Sequence, residues 1–218
     1  MGRTEAAALT GVVRALGVSK TVHDTTLLAP VTLTADPGEC VVLRGPNGSG
    51  KTTLLRLLAG LLEPTTGSVT IGDRTADERD PSVRAAVSAL IGAPTTYRDL
   101  TLVDHLVLVQ STWGQADAAE QHAENLLTQL GIGGLLERFP DELSSGQEQL
   151  FRLALTFSRP AAVLLLDEPE QRLDPDRRTA VATMVRARVD AGATVVMASH
   201  DRDLTASLAH RVVDLSVA

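Results

Sequence analysis

Residues 45 to 52 read Gly45-Pro46-Asn47-Gly48-Ser49-Gly50-Lys51-Thr52, which fits the pattern GxxxxGK[ST]. The chemistry of that spacing is phosphate binding. Glycines let successive backbone N–H groups turn inward around an anion. A helix that follows the loop aims its positive end at the same place. Lys51 would neutralise β- and γ-phosphates, and the Thr52 hydroxyl would ligate Mg²⁺. Gly48 and Ser49 would supply backbone donors, and Gly45, Pro46, Asn47 and Thr53 belong to the same nucleotide-binding stretch. Four such positions coincide by chance in roughly one chain per hundred.

A second group of residues suits hydrolysis. The apolar run Ala161 to Leu166 ends in Asp167-Glu168, before Pro169. Ligands of parallel sheets sit at the C-terminal ends of strands. There Asp167 would hold Mg²⁺ through water, and Glu168 would act on a water molecule as general base, a role worth about 10²–10⁴ in rate. Another strand-like run, Thr194 to Ala198, ends in Ser199-His200. Leu143-Ser144-Ser145-Gly146-Gln147-Glu148 opens a helical segment. Ser145 and Glu148 fit an S-x-x-E capping box. The same free amides suit an anion, and the two readings are compatible.

These residues need strands and helices in alternation to bring them together. Apolar segments rich in Thr and Val extend to about Thr34, and Asp36 to Glu39 reads as a turn. Cys40 to Leu43 is a short strand, Leu54 to Leu62 a helix, and Ser68 to Ile71 a strand with a turn at Gly72-Asp73. Long helical stretches lie within Thr101 to Leu136, with Ala123, Leu126, Leu127 and Leu130 at helical spacing. Ser145 to Ser158 is a helix stopped by Pro160. Val163 to Leu166 is a buried strand, Arg177 to Val189 a helix, and Thr194 to Ala198 a strand. The pattern predicts an α/β fold with a mostly parallel sheet and helices outside it. Residues 1–218 form a single domain in this reading. Its core is 1–91 with 159–218, and 92–158 is an inserted helical lobe.

Composition narrows the function classes. The 218 residues carry 20 Lys and Arg against 27 Asp and Glu, a net charge of −7 that disfavours a general nucleic-acid binder. Cys40 is the one cysteine, so no internal disulfide forms and a reducing compartment fits. No run approaches the roughly 18 apolar residues of a membrane helix. Glu5, Gly11 and Arg14 interrupt the N-terminal apolar patch, which argues against a signal peptide.

With these motifs in order, the chain resembles the ATP-binding subunit of ABC transporters over nearly all its length. Gly45 to Thr52 matches the Walker A loop, Leu143 to Gln147 the signature, and Leu164 to Glu168 Walker B. Leu173-Asp174 matches the D-loop, and His200 the switch histidine. Pro64 to Gly72 resembles the stretch after Walker A. The resemblance implies a P-loop NTPase core with an N-terminal antiparallel β subdomain and a helical lobe. It implies ATP and Mg²⁺ as ligands, and two ABC subunits, identical or different, facing head to tail. Ser144 and the Gly146 amide would then touch ATP on the partner, with Asp174 at the interface, and His200 would orient the attacking water on its own chain. A transmembrane permease would hold the protein at the cytoplasmic face of the cell membrane, and no nucleic acid is expected.

Several features depart from the family, among them Ser145 in place of the signature's usual first glycine. No aromatic precedes Tyr97, and the adenine-stacking position falls at Val22-His23. Gly92 stands where the Q-loop glutamine usually sits. Glu170-Gln171-Arg172 replaces small residues before the D-loop. Val87 to Thr101 resembles ATPases of small bacterial exporters, which predicts export. The alternative reading is a soluble ABC-type ATPase, or an ATP-binding regulator with weak turnover. The signature segment and His200 argue against a P-loop kinase.

Overall fold

The computed structural model describes residues 9–93 and 96–217. Pro94, and the residues up to Ala8 that bear on a signal peptide, lie outside them. The chain begins with antiparallel strands β1 (Val13–Val22) and β2 (Thr25–Ala35), then β3 (Cys40–Arg44), helix α1 (Lys51–Leu58), β4 (Thr66–Ile71) and β5 (Arg74–Thr75). Helix α2 (Pro81–Ala86) leads into β6 (Val87–Leu90), and α3 (Leu102–Thr112), α4 (Ala119–Gln129) and α5 (Ser145–Phe157) follow. Strand β7 (Val163–Asp167), α6 (Pro175–Asp190), β8 (Thr194–Ala198), α7 (Arg202–Leu208) and β9 (Arg211–Asp214) complete it.

Two sheets form. One is antiparallel, in the order β2-β1-β4-β5, and the other has five strands in the order β6-β7-β8-β3-β9. Every pairing in the second sheet is parallel. This is the expected α/β core with an N-terminal antiparallel subdomain and a helical lobe.

The reason for the uninterrupted apolar run in β7 is burial on both faces, as parallel central strands require. Leu164 and Leu166 face a cluster that includes Phe151, Phe157, Val181 and Val185. Val163 and Leu165 face the opposite way, toward Leu54, Leu58, Val69 and Ile71. The lobe helices pack Leu102, Leu106, Leu127 and Phe151 into the first of these clusters. At the start of α3 the Thr101 and Asp104 side chains close a reciprocal capping box. That pairing holds the Asp104 carboxyl below the usual range, chiefly through the Thr101 hydroxyl.

Three helix boundaries differ from the sequence reading by two residues or more. Helix α1 starts at Lys51, not Leu54, because the glycine loop turns directly into helix at Gly50. It ends at Leu58, not Leu62, where Gly60 takes a left-handed φ of 71°. Helix α6 starts at Pro175, two residues earlier than read, because Asp174 caps it and proline suits the first helical position. The capping box of α5 is built by Ser144 and Gln147, not Ser145 and Glu148. Ser144 has the extended backbone (φ −65°, ψ 159°) that a cap requires, and Ser145 is already helical.

Cys40 is fully buried at the start of β3, and burial pushes its thiol up to about 12. The thiol is therefore neutral at pH 8, and the nucleophilic thiolate is scarce. Iodoacetamide at pH 8 should leave the native protein unlabelled and modify one site in denaturant, as mass spectrometry will show.

Candidate functional site

The site is built where parallel strands stop. Leu43 of β3 pairs with Ala198 of β8, and Ala198 pairs with Asp167 of β7. The three strand ends therefore form one row. The glycine loop leaves β3 there, Asp167 and Glu168 finish β7, and Ser199-His200 follow β8.

Gly50 has a φ of 89°, a conformation that glycine adopts without steric cost. A Cβ there would come within 2.6 Å of the Leu27 carbonyl of β2. The antiparallel subdomain thus lies directly against the loop. Gly48 (φ 82°) is exposed, with open space where a Cβ would stand. Lys51 is folded under the loop, its ammonium donating to the carbonyls of Gly45 (2.8 Å) and Pro46 (3.1 Å). The Ser49 hydroxyl is buried without a partner among the described residues. No side chain caps α1 and no acidic residue stands in its first turn. Its free amides and positive end are thus left for an anion. Pro46 and Asn47 are exposed on the rim, and Thr53 is half-buried in the first turn.

Thr52 Oγ1 donates to Asp167 Oδ2 at 2.7 Å, joining the loop to the end of β7. A hydroxyl beside a carboxylate is an oxygen donor set that suits a hard cation such as Mg²⁺, which keeps several waters and phosphate oxygens as its other ligands. No group of three or more His, Cys, Asp or Glu gathers as a metal site among the described residues.

Glu168 has a left-handed backbone, φ 48°, rare for a residue with a side chain. Its amide donates to the Ala198 carbonyl at 2.9 Å. The Gln149 side chain of α5 donates to the carbonyls of Glu168 and Pro169, each at 3.2 Å. The Glu168 carboxylate meets His200 Nε2 at 3.5 Å through Oε1 and accepts from Gln171 Nε2 at 2.9 Å through Oε2. Glu168 and His200, 32 positions apart in the sequence, are therefore side by side.

The remaining candidates sit apart from the loop. Ser144 caps its own helix, α5. A Cβ on Gly146 would come within 2.9 Å of the Arg172 carbonyl, so the signature glycine packs on the loop after β7. Asp174 accepts from the Arg177 amide at 2.9 Å as the cap of α6. Val22 and His23 are exposed at the β1–β2 turn, where His23 has a φ of 51°. Gly92 offers its carbonyl to Arg152, whose guanidinium also reaches Gln149 Oε1 at 3.0 Å. Burial pushes the Arg152 guanidinium below its usual pKa.

Gln149 and Arg152 escaped the sequence reading. Their signal was a polar residue on an otherwise apolar helix face, which becomes specific only when the facing loop is known.

Comparison with known proteins gives the family. The family model described as ABC transporter matches residues 28–171. The cell division ATP-binding protein FtsE of Mycobacterium tuberculosis is 32% identical over 87% of this chain and 85% of its own length. The sulfate/thiosulfate import ATP-binding protein CysA of Brucella melitensis is 38% identical over 94% of this chain. The Fe(3+) ions import ATP-binding protein FbpC of Brucella abortus is 36% identical over 90%. The chain spans only 58% and 56% of those two proteins. A solved ATP-binding subunit of an ABC transporter superposes with a TM-score of 0.84 at 26% identity, over 94% of this chain and 85% of that one. The chain belongs to the ABC transporter family.

Gly50→Ala should remove nucleotide binding, because the added methyl meets the Leu27 carbonyl and φ is left-handed. Titration with a fluorescent ATP analogue should show no saturation with the variant, under conditions where the parent binds.

Proposed function

We propose that this chain hydrolyses ATP as one of two facing cassettes and so drives a separate membrane permease. The observation that carries the reading is the row of strand ends: Thr52 bonds Asp167, and Glu168 meets His200, where β3, β7 and β8 stop. In the described residues no helix is long and apolar enough to cross a membrane. A permease partner would therefore supply the contact with the cytoplasmic face of the membrane.

Each residue has a stated part. The Gly48, Ser49 and Gly50 amides and the end of α1 hold the β- and γ-phosphates. Lys51 leaves the carbonyls of Gly45 and Pro46 for phosphate oxygens. It trades two neutral acceptors for charged ones, which make stronger hydrogen bonds. Thr52 and Asp167 would hold Mg²⁺, which when bound neutralises charge on the β- and γ-oxygens. Glu168 accepts a proton from the attacking water through Oε1. His200 orients that water and donates toward the γ-phosphate. Ser144 and the Gly146 amide face the ATP of the second cassette, with Asp174 between the two.

Direction and substrate belong to the permease. CysA and FbpC are named for import, and export, the expectation from residues 87–101, has no support among these relatives. A weak-turnover ATP-binding regulator is the second reading. It is favoured by Gly92, which offers no side chain, and by Val22-His23, which offers no aromatic to stack on adenine.

Glu168→Gln should lower steady-state phosphate release about 10²–10⁴-fold while ATP still binds. With Mg-ATP the same variant should run as a dimer in light scattering. Equal rates for variant and parent would remove Glu168 as the base, and a monomer at saturating Mg-ATP would remove the facing-cassette arrangement.

A further inference from the structure

The residues after Walker B carry a feature that the hydrolytic reading leaves unused. Glu170 is a carboxylate in a small-residue position, and only 8% of it is exposed. A carboxyl group buried this far needs hydrogen-bond donors to compensate its lost hydration. Here the donors come from three consecutive residues. Glu170 Oε1 accepts from Ser199 Oγ at 2.6 Å, the His200 amide at 3.2 Å and the Asp201 amide at 3.4 Å. All three belong to the turn that presents His200. The Ser199 hydroxyl also accepts from the Asp201 amide at 3.0 Å, which tightens that turn.

This arrangement closes a ring. From Glu168 the chain runs through Pro169 to Glu170. The Glu170 carboxylate holds the backbone of His200, and the His200 ring returns to Glu168 Oε1 at 3.5 Å. We propose that Glu170 is a positioning residue for the hydrolytic pair: its carboxylate fixes the Ser199–Asp201 turn, and with it the place of the His200 ring relative to Glu168. The proposal rests on the hydrolytic reading for its consequence but not for its geometry. Ser, Thr or Ala at position 170 would leave the His200 and Asp201 amides without that acceptor. Glu170 Oε2 is buried and unpartnered among the described residues. Surface stability alone gives no reason to keep a carboxylate so placed, whereas a fixed turn does.

The test has an activity arm and a structural arm. Glu170→Ala should lower kcat for ATP hydrolysis about tenfold to a hundredfold, the scale of a small misplacement of a reacting group. KM for ATP should stay within about twofold, because the phosphate loop is untouched. Glu170→Gln keeps an acceptor oxygen and should recover most of kcat. In a His200→Ala background, Glu170→Ala should lower the rate no further, since its effect passes through that ring. In the structural arm, amide hydrogen exchange at His200 and Asp201 should rise about tenfold in Glu170→Ala and in Ser199→Ala, with the β7 and β8 amides unchanged. Effects that multiply with His200→Ala, or unchanged exchange at His200 and Asp201, overturn the proposal. If Glu170→Ala does not fold, Ser199→Ala, which removes the hydroxyl donor to Glu170 Oε1, should lower kcat and raise exchange at His200 and Asp201 in the same direction. If His200→Ala itself leaves the rate intact, the hydrolytic role of His200 fails, and exchange alone then decides whether Glu170 holds the turn.

Discussion

Parallel register is the constraint on which the rest depends. Leu43, Ala198 and Asp167 lie on one line because β8 pairs with β3 on one side and with β7 on the other. The loop after β3, the carboxylates after β7 and the histidine after β8 come from distant parts of the chain, yet all leave the sheet along that line. A slip of one residue in β7 would send Leu164 and Leu166 to the face that Val163 and Leu165 occupy. Both faces of β7 are packed, so such a slip would also misfit the helices. The apolar core thus sets the position of Asp167 more firmly than any polar contact does. The 2.7 Å bond from Thr52 to Asp167 then finishes an alignment that the sheet has already made.

The polar groups around this row show a common logic. Those that must wait for a ligand are provisionally paired, and those that must not move are paired firmly. Lys51 rests on two carbonyls of its own loop, a contact that a phosphate can displace. Glu168, in contrast, holds a left-handed backbone that costs on the order of 1–3 kcal/mol. Its amide is tied to Ala198 and its carbonyl to Gln149, so neighbours from β8 and α5 over-determine the strained turn. Strain of that kind persists where the surroundings enforce it, and here it aims the carboxylate away from the strand and toward His200.

How far the sequence could be read follows from which partners are local. The GxxxxGK[ST] loop and its helix are decided within eight residues, and the structure has that loop between β3 and α1. The buried run before Asp167 is equally local, and it marked both the strand and the place where the strand stops. Helix starts were less legible. Ser144 and Ser145 both offer a hydroxyl three residues before a side chain that can reach back, and only the backbone angles at Ser144 decide between them. Contacts such as Gln149 with Glu168, or Glu170 with Ser199, join residues on different elements. Each becomes specific only once α5 and β8 are placed beside β7. The Glu170-Gln171-Arg172 segment could be seen as a departure from the family, but its partners could not.

Gly92 is joined to the helical lobe through its backbone carbonyl. Gly92 has a φ of 69° just beyond β6 and presents its carbonyl to Arg152. Arg152 donates to Gln149, and Gln149 donates to the carbonyls of Glu168 and Pro169. A continuous path of hydrogen bonds therefore runs from the loop entering the helical lobe to the backbone of the candidate base. Its links are a carbonyl, a guanidinium and an amide, and no side chain at position 92 is involved. Arg152 is half-buried, and its partial removal from water strengthens these hydrogen bonds. In this chain the lobe and the strand row are thus joined through α5, by residues that the motifs themselves do not include.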